Sequence, residues 1–272
     1  MKKAKMGLTV TLAQSYNPEK HKVNDGNWWW SEKLDGVRAY WNPDRDGLFS
    51  RADKEFTVPE FFKNELRKVN LPLDGELFFG RGEFQECVSI VRKKKSMDPK
   101  EWAGISFEIF DVIDADQTLT FTDRHQYMKE KIGTEHGFLK ILRQTQLGPE
   151  DDVMAITDKL VADGAEGLML KKGDSVYEMK RSWSLLKVKK WQDCEATVLE
   201  ITKGKGKNSE VMGQARCVLD DGVEFLLGGG FTDSMRKTPP FKIGSVVTVK
   251  FFEKTKAGKP RFPIYIATRD YE

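Results

Sequence analysis

One lysine stands where it could act as a nucleophile. In Ser31-Glu32-Lys33-Leu34-Asp35-Gly36-Val37-Arg38-Ala39, Lys33 precedes a tight Asp-Gly turn between strand-like flanks. Such a turn can aim one amine into a pocket, with Asp35 and Arg38 beside it. An amine attacks only in its neutral form, so nearby cations, a metal or burial must loosen its proton. Lys-x-Asp-Gly alone also describes an ordinary hairpin with a solvated lysine. Companion segments change that balance. Asp74-Gly75-Glu76-Leu77 brings a carboxylate on a strand beside a turn, and Phe107-Glu108-Ile109-Phe110-Asp111 brings aromatic rings on a strand. Glu166-Gly167-Leu168-Met169-Leu170-Lys171 brings a second carboxylate before a strand. In Leu185-Leu186-Lys187-Val188-Lys189, period-two alternation puts Lys187 and Lys189 on one strand face. Each segment alone has a dull explanation: a turn, a core ring, a solvated face. Together they hold what nucleotidyl transfer needs: an amine, two carboxylates for a divalent cation, a ring for a base and lysines for phosphates. That chemistry is mostly positioning and charge neutralisation, so the inventory suffices.

Strands and helices must position these groups. A turn running into a strand is predicted over Glu32 to Trp41, and strands over Leu73 to Phe79, Ile105 to Ile113, Leu168 to Lys171 and Leu185 to Trp191. In the third of these, Phe107, Ile109 and Asp111 alternate against Glu108, Phe110 and Val112. Helices are predicted from Pro59 to Val69, with Phe61, Phe62, Leu66 and Val69 on one face, from Glu83 to Val91, and from Pro149 to Ala162 with an acidic start. Trp28-Trp29-Trp30 reads as core that props the lysine motif, or else as an exposed surface. After Trp191 the texture becomes short β runs: Ala196 to Ile201, Ala215 to Leu219, Val223 to Leu227, Ser245 to Phe252 and Pro263 to Thr268. Five strands with turn-rich loops suit a small barrel of the OB type or a sandwich. The expected class is α+β, with domains at 1–191 and 192–272.

Composition excludes several classes. A chain of 272 residues with 39% hydrophobic and 32% charged residues is globular and long enough for about two domains. The net charge of +3 is too small to establish a nucleic-acid partner, so a binding surface must come from charge arrangement. Cys87, Cys194 and Cys217 are far apart, and His21, His125 and His136 form no ligand-spaced pair. A disulfide framework, a zinc centre and a Ser/His or Cys/His hydrolase are therefore disfavoured. No apolar run reaches the roughly 18 residues of a membrane span, and the start of the chain carries no convincing secretion signal, so a cytoplasmic protein is expected.

The ordered motifs resemble those of the covalent nucleotidyltransferase superfamily of DNA ligases, RNA ligases and capping enzymes. They are most similar to the minimal ATP-dependent DNA ligases of viruses and bacteria, from about Leu12 to Asp270. The resemblance implies a nucleotidyltransferase domain of ATP-grasp-like antiparallel sheets with helices, then an OB domain. It implies that Lys33 forms a lysyl-AMP, that Glu32 holds adenine through its backbone, and that Asp35 and Arg38 flank the phosphates and the nick. Ser50-Arg51 matches the next motif, and Arg51 would meet the 5′-phosphate end of the nick. Glu76 would contact ribose or metal, Glu166 the metal, and Phe110, in preference to Phe107, would stack on adenine. Lys187 and Lys189 would bind the AMP phosphate, with Arg181 a further phosphate ligand. Arg269 and Asp270 would orient pyrophosphate, although the family ends Asp-Lys where Tyr271-Glu272 stands here. The implied reaction is adenylation of Lys33 by ATP, transfer of AMP to a 5′-phosphate, and attack by the 3′-hydroxyl. Magnesium or manganese would assist, and nicked duplex DNA would be the partner of a monomer with no membrane association.

Lys203, Lys205 and Lys207, interleaved with glycine, form a loop able to follow a phosphate backbone, and Arg92 to Lys95 add a basic run. The loops after Trp191 are short and only about 30 residues precede Lys33, so incomplete encirclement of DNA is expected. An RNA ligase or capping guanylyltransferase is the alternative within the superfamily. A non-catalytic nucleic-acid-binding protein is the alternative outside it.

Overall fold

The chain up to Val188 builds two five-stranded sheets, because most of its strands are apolar on one face only. The computed structural model describes residues 10–94, 97–133 and 137–269; Asp270, Lys95, His136 and the first nine residues lie outside them. Its strands are β1 (Leu12–Ser15), β2 (Trp28–Lys33), β3 (Val37–Asn42), β4 (Gly47–Ser50), β5 (Leu73–Phe78), β6 (Ser106–Val112), β7 (Leu139–Ile141), β8 (Gln144–Gln146), β9 (Gly167–Lys172) and β10 (Arg181–Val188). Its helices are α1 (Glu60–Val69), α2 (Phe84–Val91), α3 (Phe121–Ile132) and α4 (Val153–Ala162). One sheet runs β1-β10-β9-β2-β8, the other β4-β3-β5-β6-β7. The sheets are mixed where antiparallel ones were expected: β1/β10 and β6/β7 are parallel edge pairs. The α+β class stands.

Helices cover one face of each sheet. Phe62 and Leu66 of α1 and Cys87, Ile90 and Val91 of α2 join Trp41, Leu73, Leu77, Phe107 and Ile109 in the largest core. Phe61, expected on the same face, is 40% exposed and only edges Phe62 and Phe138. Pro59 is the N-cap of α1 rather than its first turn residue. On the other sheet Leu168, Leu170, Leu186 and Val188 pack with Val153 of α4. That helix starts later than the acidic run suggests, because Asp152 accepts from the Met154 and Ala155 amides and so caps it. Helix α3, not among the expected helices, opens with a reciprocal Thr120–Asp123 capping box.

Two features of register move functional side chains. The β9–β10 ladder ends at Val188 opposite Leu168, so Lys189 lies past the strand and does not share a strand face with Lys187. At β5–β6, Asp74 pairs with Asp111 but Gly75 with Ile109, which leaves Phe110 as a bulge. The bulge breaks the predicted alternation. Val112 joins the core with Phe107 and Ile109, and Asp111 turns to the opposite face beside Asp74. There Asp111 is fully buried, accepting from Arg124 Nε (2.8 Å) and Nη2 (3.2 Å) and from the Lys171 ammonium. Strand β6 of one sheet is thereby tied to β9 of the other and to α3.

From Lys189 onward the second compact unit is all antiparallel in its named ladders. Its strands are β11 (Gln192–Lys203), β12 (Met212–Val218), β13 (Glu224–Leu227), β14 (Val246–Phe251) and β15 (Ile264–Arg269), with a short α5 (Asp233–Lys237). The order is β13-β12-β11-β14-β15. The long β11 serves both halves, pairing with β12 through Thr197–Lys203 and with β14 through Gln192–Thr197. A parallel bridge between Gly229 and Ile264 brings the two outer strands together, the closure expected of an OB barrel. Val198, Ala215, Cys217, Leu227, Val247, Val249 and Tyr265 fill it. No helix among the described residues is long and apolar enough to cross a membrane.

Removing one member of a fully buried ion cluster strands the others, which costs about 3–5 kcal/mol. Asp111→Ala, measured by urea unfolding, is expected to lose stability in that range. A loss below about 1 kcal/mol, the scale of a surface pair, would contradict the tie between the sheets.

Candidate active site

The polar faces of the two sheets confront each other. Strand register puts Lys33 beside Gly167, and Ser31, Met169 and Lys187 in one row. Alternation then puts Lys33, Met169, Lys171 and Lys187 on the face away from α4. Across the gap, β3 and β5 present Arg38, Asp74 and Glu76, and the bulge presents Phe110. The turn 34–36 that joins β2 to β3 runs tightly against β5. A Cβ on Gly36 would stand 2.3 Å from the Leu77 carbonyl oxygen, so no larger residue fits without moving the turn.

The Lys33 ammonium forms an ion pair with the Glu166 carboxylate at the mouth of β9. Glu166 is almost sealed, and Lys33 keeps 22% of its side-chain surface. Glu32, on the next position of β2, turns to the other face, where Arg81 Nε and Nη2 donate to its two oxygens (2.9 and 2.8 Å). That leaves its backbone, not its side chain, on the lysine side. Arg38 grips Asp74 as a fork, Nε to Oδ1 at 2.7 Å and Nη2 to Oδ2 at 2.6 Å. Its guanidinium lies 4.6 Å from the centroid of the Phe110 ring. Phe107 is sealed in the core and offers no stacking face.

Burial pushes the Glu76 carboxyl up to about 7; Arg38 and Lys33 pull against this, while Glu166 and Asp74 reinforce it. Three carboxylates near two cations therefore leave one acid poised to exchange its proton for another positive charge. Such hard oxygen donors fit a divalent cation: Asp35 and Glu166 bring carboxylate oxygens within 4.8 Å of each other, and Glu76 is the further acid expected to hold the ion.

Two expected residues of this domain are not gathered here. Arg51 is exposed in the turn after β4, and Arg181 is exposed at the start of β10, donating to the Ala13 carbonyl. Lys189 belongs to the second unit, with its ammonium 4.9 Å over the Phe252 ring. Lys203, Lys205 and Lys207 are exposed; Lys203 pairs with Glu210 at 3.3 Å and Lys207 with Asp233 at 3.6 Å. Arg269 meets Thr248 (2.8 Å) and Glu195 (3.3 Å) on the barrel surface. Arg81, Arg124 and Tyr177 belong to none of the expected motifs, yet they hold Glu32, Asp111 and Asp74. Asp74 was within reach, since it sits two residues from Glu76 and period two puts both on one face. Tyr177 lies in a loop and carries no periodic signal.

Two family descriptions match: an ATP dependent DNA ligase domain over residues 10–189 and a DNA ligase OB-like domain over 203–269. A DNA ligase of Haemophilus influenzae is 35% identical over 258 residues, covering 94% of this chain and 90% of its own. A solved Lig E DNA ligase is similar at 33% identity and a TM-score of 0.87, covering 96% of this chain and 98% of that one. A Chlorella virus DNA ligase–adenylate is similar at 27% identity and a TM-score of 0.55, over 96% and 99%.

Glu76 holds its proton more tightly folded than unfolded. Its contribution to stability is complete below the ordinary carboxylate value of 4.5 and is lost as pH rises through about 7. Glu76→Gln should therefore gain in melting temperature relative to the parent between about pH 5 and pH 8. A difference that stays constant over that range would show the carboxyl to be unperturbed.

Proposed function

The chain belongs to the ATP-dependent DNA ligase family, and from that premise we propose that it seals nicks in duplex DNA through an AMP carried on Lys33. ATP and a divalent metal are what such a family uses; magnesium, or manganese in its place, is the proposed ion. The observation that carries the reading is the facing of Lys33 and Glu166 on one sheet by Glu76, Arg38 and Phe110 on the other. An RNA ligase, a capping guanylyltransferase or a non-catalytic binder fits less well, since the matched domains and quoted relatives are all DNA ligases.

In the proposed first step the Lys33 Nζ–phosphorus bond forms as the bond to pyrophosphate breaks, and the amine's proton passes to solvent. The ion pair with Glu166 fixes Nζ in the cleft beforehand, which is the positioning that phosphoryl-type transfer demands. The adenine stacks on Phe110, and Lys187 attracts the α-phosphate. A divalent cation on Glu76 and Glu166 would neutralise phosphate charge and give Glu166 a partner other than Lys33. In the second step a 5′-phosphate oxygen displaces Lys33 from AMP, and the amine regains a proton. Arg38, with Arg51 and Arg181 further out, meets the DNA phosphates. In the third step the 3′-hydroxyl attacks the 5′-phosphorus and AMP leaves. Lys189, the 203–207 lysines, Arg269 and Asp270 keep the roles that family resemblance gives them, for phosphate, DNA and pyrophosphate. Both domains lie on one chain, which suits a monomer. Three cysteine thiols outside any disulfide suit a reducing compartment such as the cytoplasm.

Incubation with labelled ATP and magnesium should tag the protein and allow it to join a nicked duplex, whereas GTP and NAD should leave it unlabelled. Lys33→Ala should lose the tag entirely; a covalent label on that variant would move the nucleophile elsewhere. Phe110→Ala should weaken ATP binding by about 1–3 kcal/mol, the worth of base–aromatic stacking, as read by titration of the purified protein. Unchanged affinity would remove Phe110 from the adenine site.

A further inference from the structure

Behind Arg38 lies a buried polar chain that the reaction does not touch. Asp74, 1% exposed at its side chain, accepts both Arg38 donors, and its Oδ2 takes a third hydrogen bond from the Tyr177 hydroxyl at 2.6 Å. Tyr177 is completely buried. Its ring is flanked by cations on the far side, with the Arg124 guanidinium carbon at 5.5 Å and Lys171 Nζ at 5.8 Å from the centroid. Both cations are anchored on Asp111. Arg124 also donates to the Ser175 carbonyl (3.0 Å), which holds the loop that carries Tyr177. Burial and the Asp74 charge both press the phenol to stay protonated, so it remains a donor.

The geometry of Arg38 gives this chain a purpose. Nε and Nη2 are committed to Asp74, and Nη2 also reaches the Thr11 carbonyl at 3.2 Å. Nη1 has no partner among the described residues, and a fifth of the side chain is open. A guanidinium gripped by one edge presents its other edge in a fixed direction. That direction depends on the rotation of the Asp74 carboxylate, and the third hydrogen bond on Oδ2 is what stops that rotation.

We propose that Tyr177 is a positioning residue for nick sealing: its hydroxyl locks Asp74, and Asp74 aims Arg38 at a phosphate of the DNA. This rests on the reading of Arg38 as a phosphate ligand. In the proposed first step Lys33, Glu166, Lys187, Phe110 and Glu76 act, and Arg38 enters only at the DNA phosphates, so self-adenylation does not need the lock. Tyr177→Phe removes one oxygen atom and keeps the ring between its cations.

The test is single-turnover sealing of a saturating, pre-adenylated nick by Tyr177→Phe, Arg38→Ala and the double variant, beside Lys33 labelling with ATP and a melting curve. Tyr177→Phe is expected to melt close to the parent and label at the parental rate. Its sealing is expected to be slower by roughly 10- to 100-fold, the worth of a hydrogen bond to a charged group. Nick affinity should hardly change, which a merely structural defect would not spare. The double variant should be no slower than Arg38→Ala alone. Parental sealing by Tyr177→Phe, or losses that multiply in the double variant, would overturn the inference while leaving Arg38 its role. Parental sealing by Arg38→Ala would overturn the reading of Arg38 and the inference together. Should Tyr177→Phe melt early, Asp74→Asn, which keeps the shape, replaces it in the same cycle with the same two outcomes.

Discussion

A carboxylate with no access to water holds two sheets at a fixed distance. Asp111 would be prohibitively expensive as a lone charge, since burial disfavours the ionised form. Lys171 and Arg124 outweigh that and keep its carboxyl below the ordinary range. The three ions come from β6, β9 and α3, so none can be satisfied unless both sheets and the helix are in place. Hydrophobic cores lie outside this layer, on the far faces of the sheets. Apolar packing alone tolerates small slides; a geometry of charged hydrogen bonds does not. The cleft is therefore as wide as the ion cluster dictates.

Chemistry follows from which groups each sheet lends. One contributes the amine and a carboxylate, the other an acid held near neutrality, a forked guanidinium and an aromatic ring. A phosphate between them meets charge from both sides in a half-closed space, where such interactions are stronger than in bulk water. Conversely, the exposed lysines of the second unit work in high dielectric, and the partners at 3.3 and 3.6 Å bind two of them weakly. Weakly held charges of this kind suit the proposed contact with DNA phosphates, since giving up an exposed acidic partner costs little.

Much of this was legible. Lys33, Glu76, Glu166 and Lys187 lie in or beside segments whose strand character is local, so period two and turn chemistry place them; the choice of Phe110 comes from the resemblance. The five barrel strands were visible for the same reason. The failures share a cause. The Phe110 bulge depends on how β5 meets β6, and the end of β10 depends on where β9 runs out, so neither is written in a single strand. Helix α3 carries little apolar signal, because its buried face holds Arg124 and His125 beside Phe121, Met128 and Ile132. The expected wholly antiparallel sheets missed the edges for the same non-local reason.

By itself the sequence determined the inventory and its order: which side chains could carry an adenylate, a metal and a base, and that strands would bear them. Those are properties of residue type and of spacing along one strand, where alternation is fixed by backbone stereochemistry. Only tertiary structure decided that Asp111 faces inward, that Glu76 feels four charges at once, and that a tyrosine from a loop completes the grip on Arg38. Electrostatic energies depend on separations across space and on exclusion of water, and distance along the chain encodes neither.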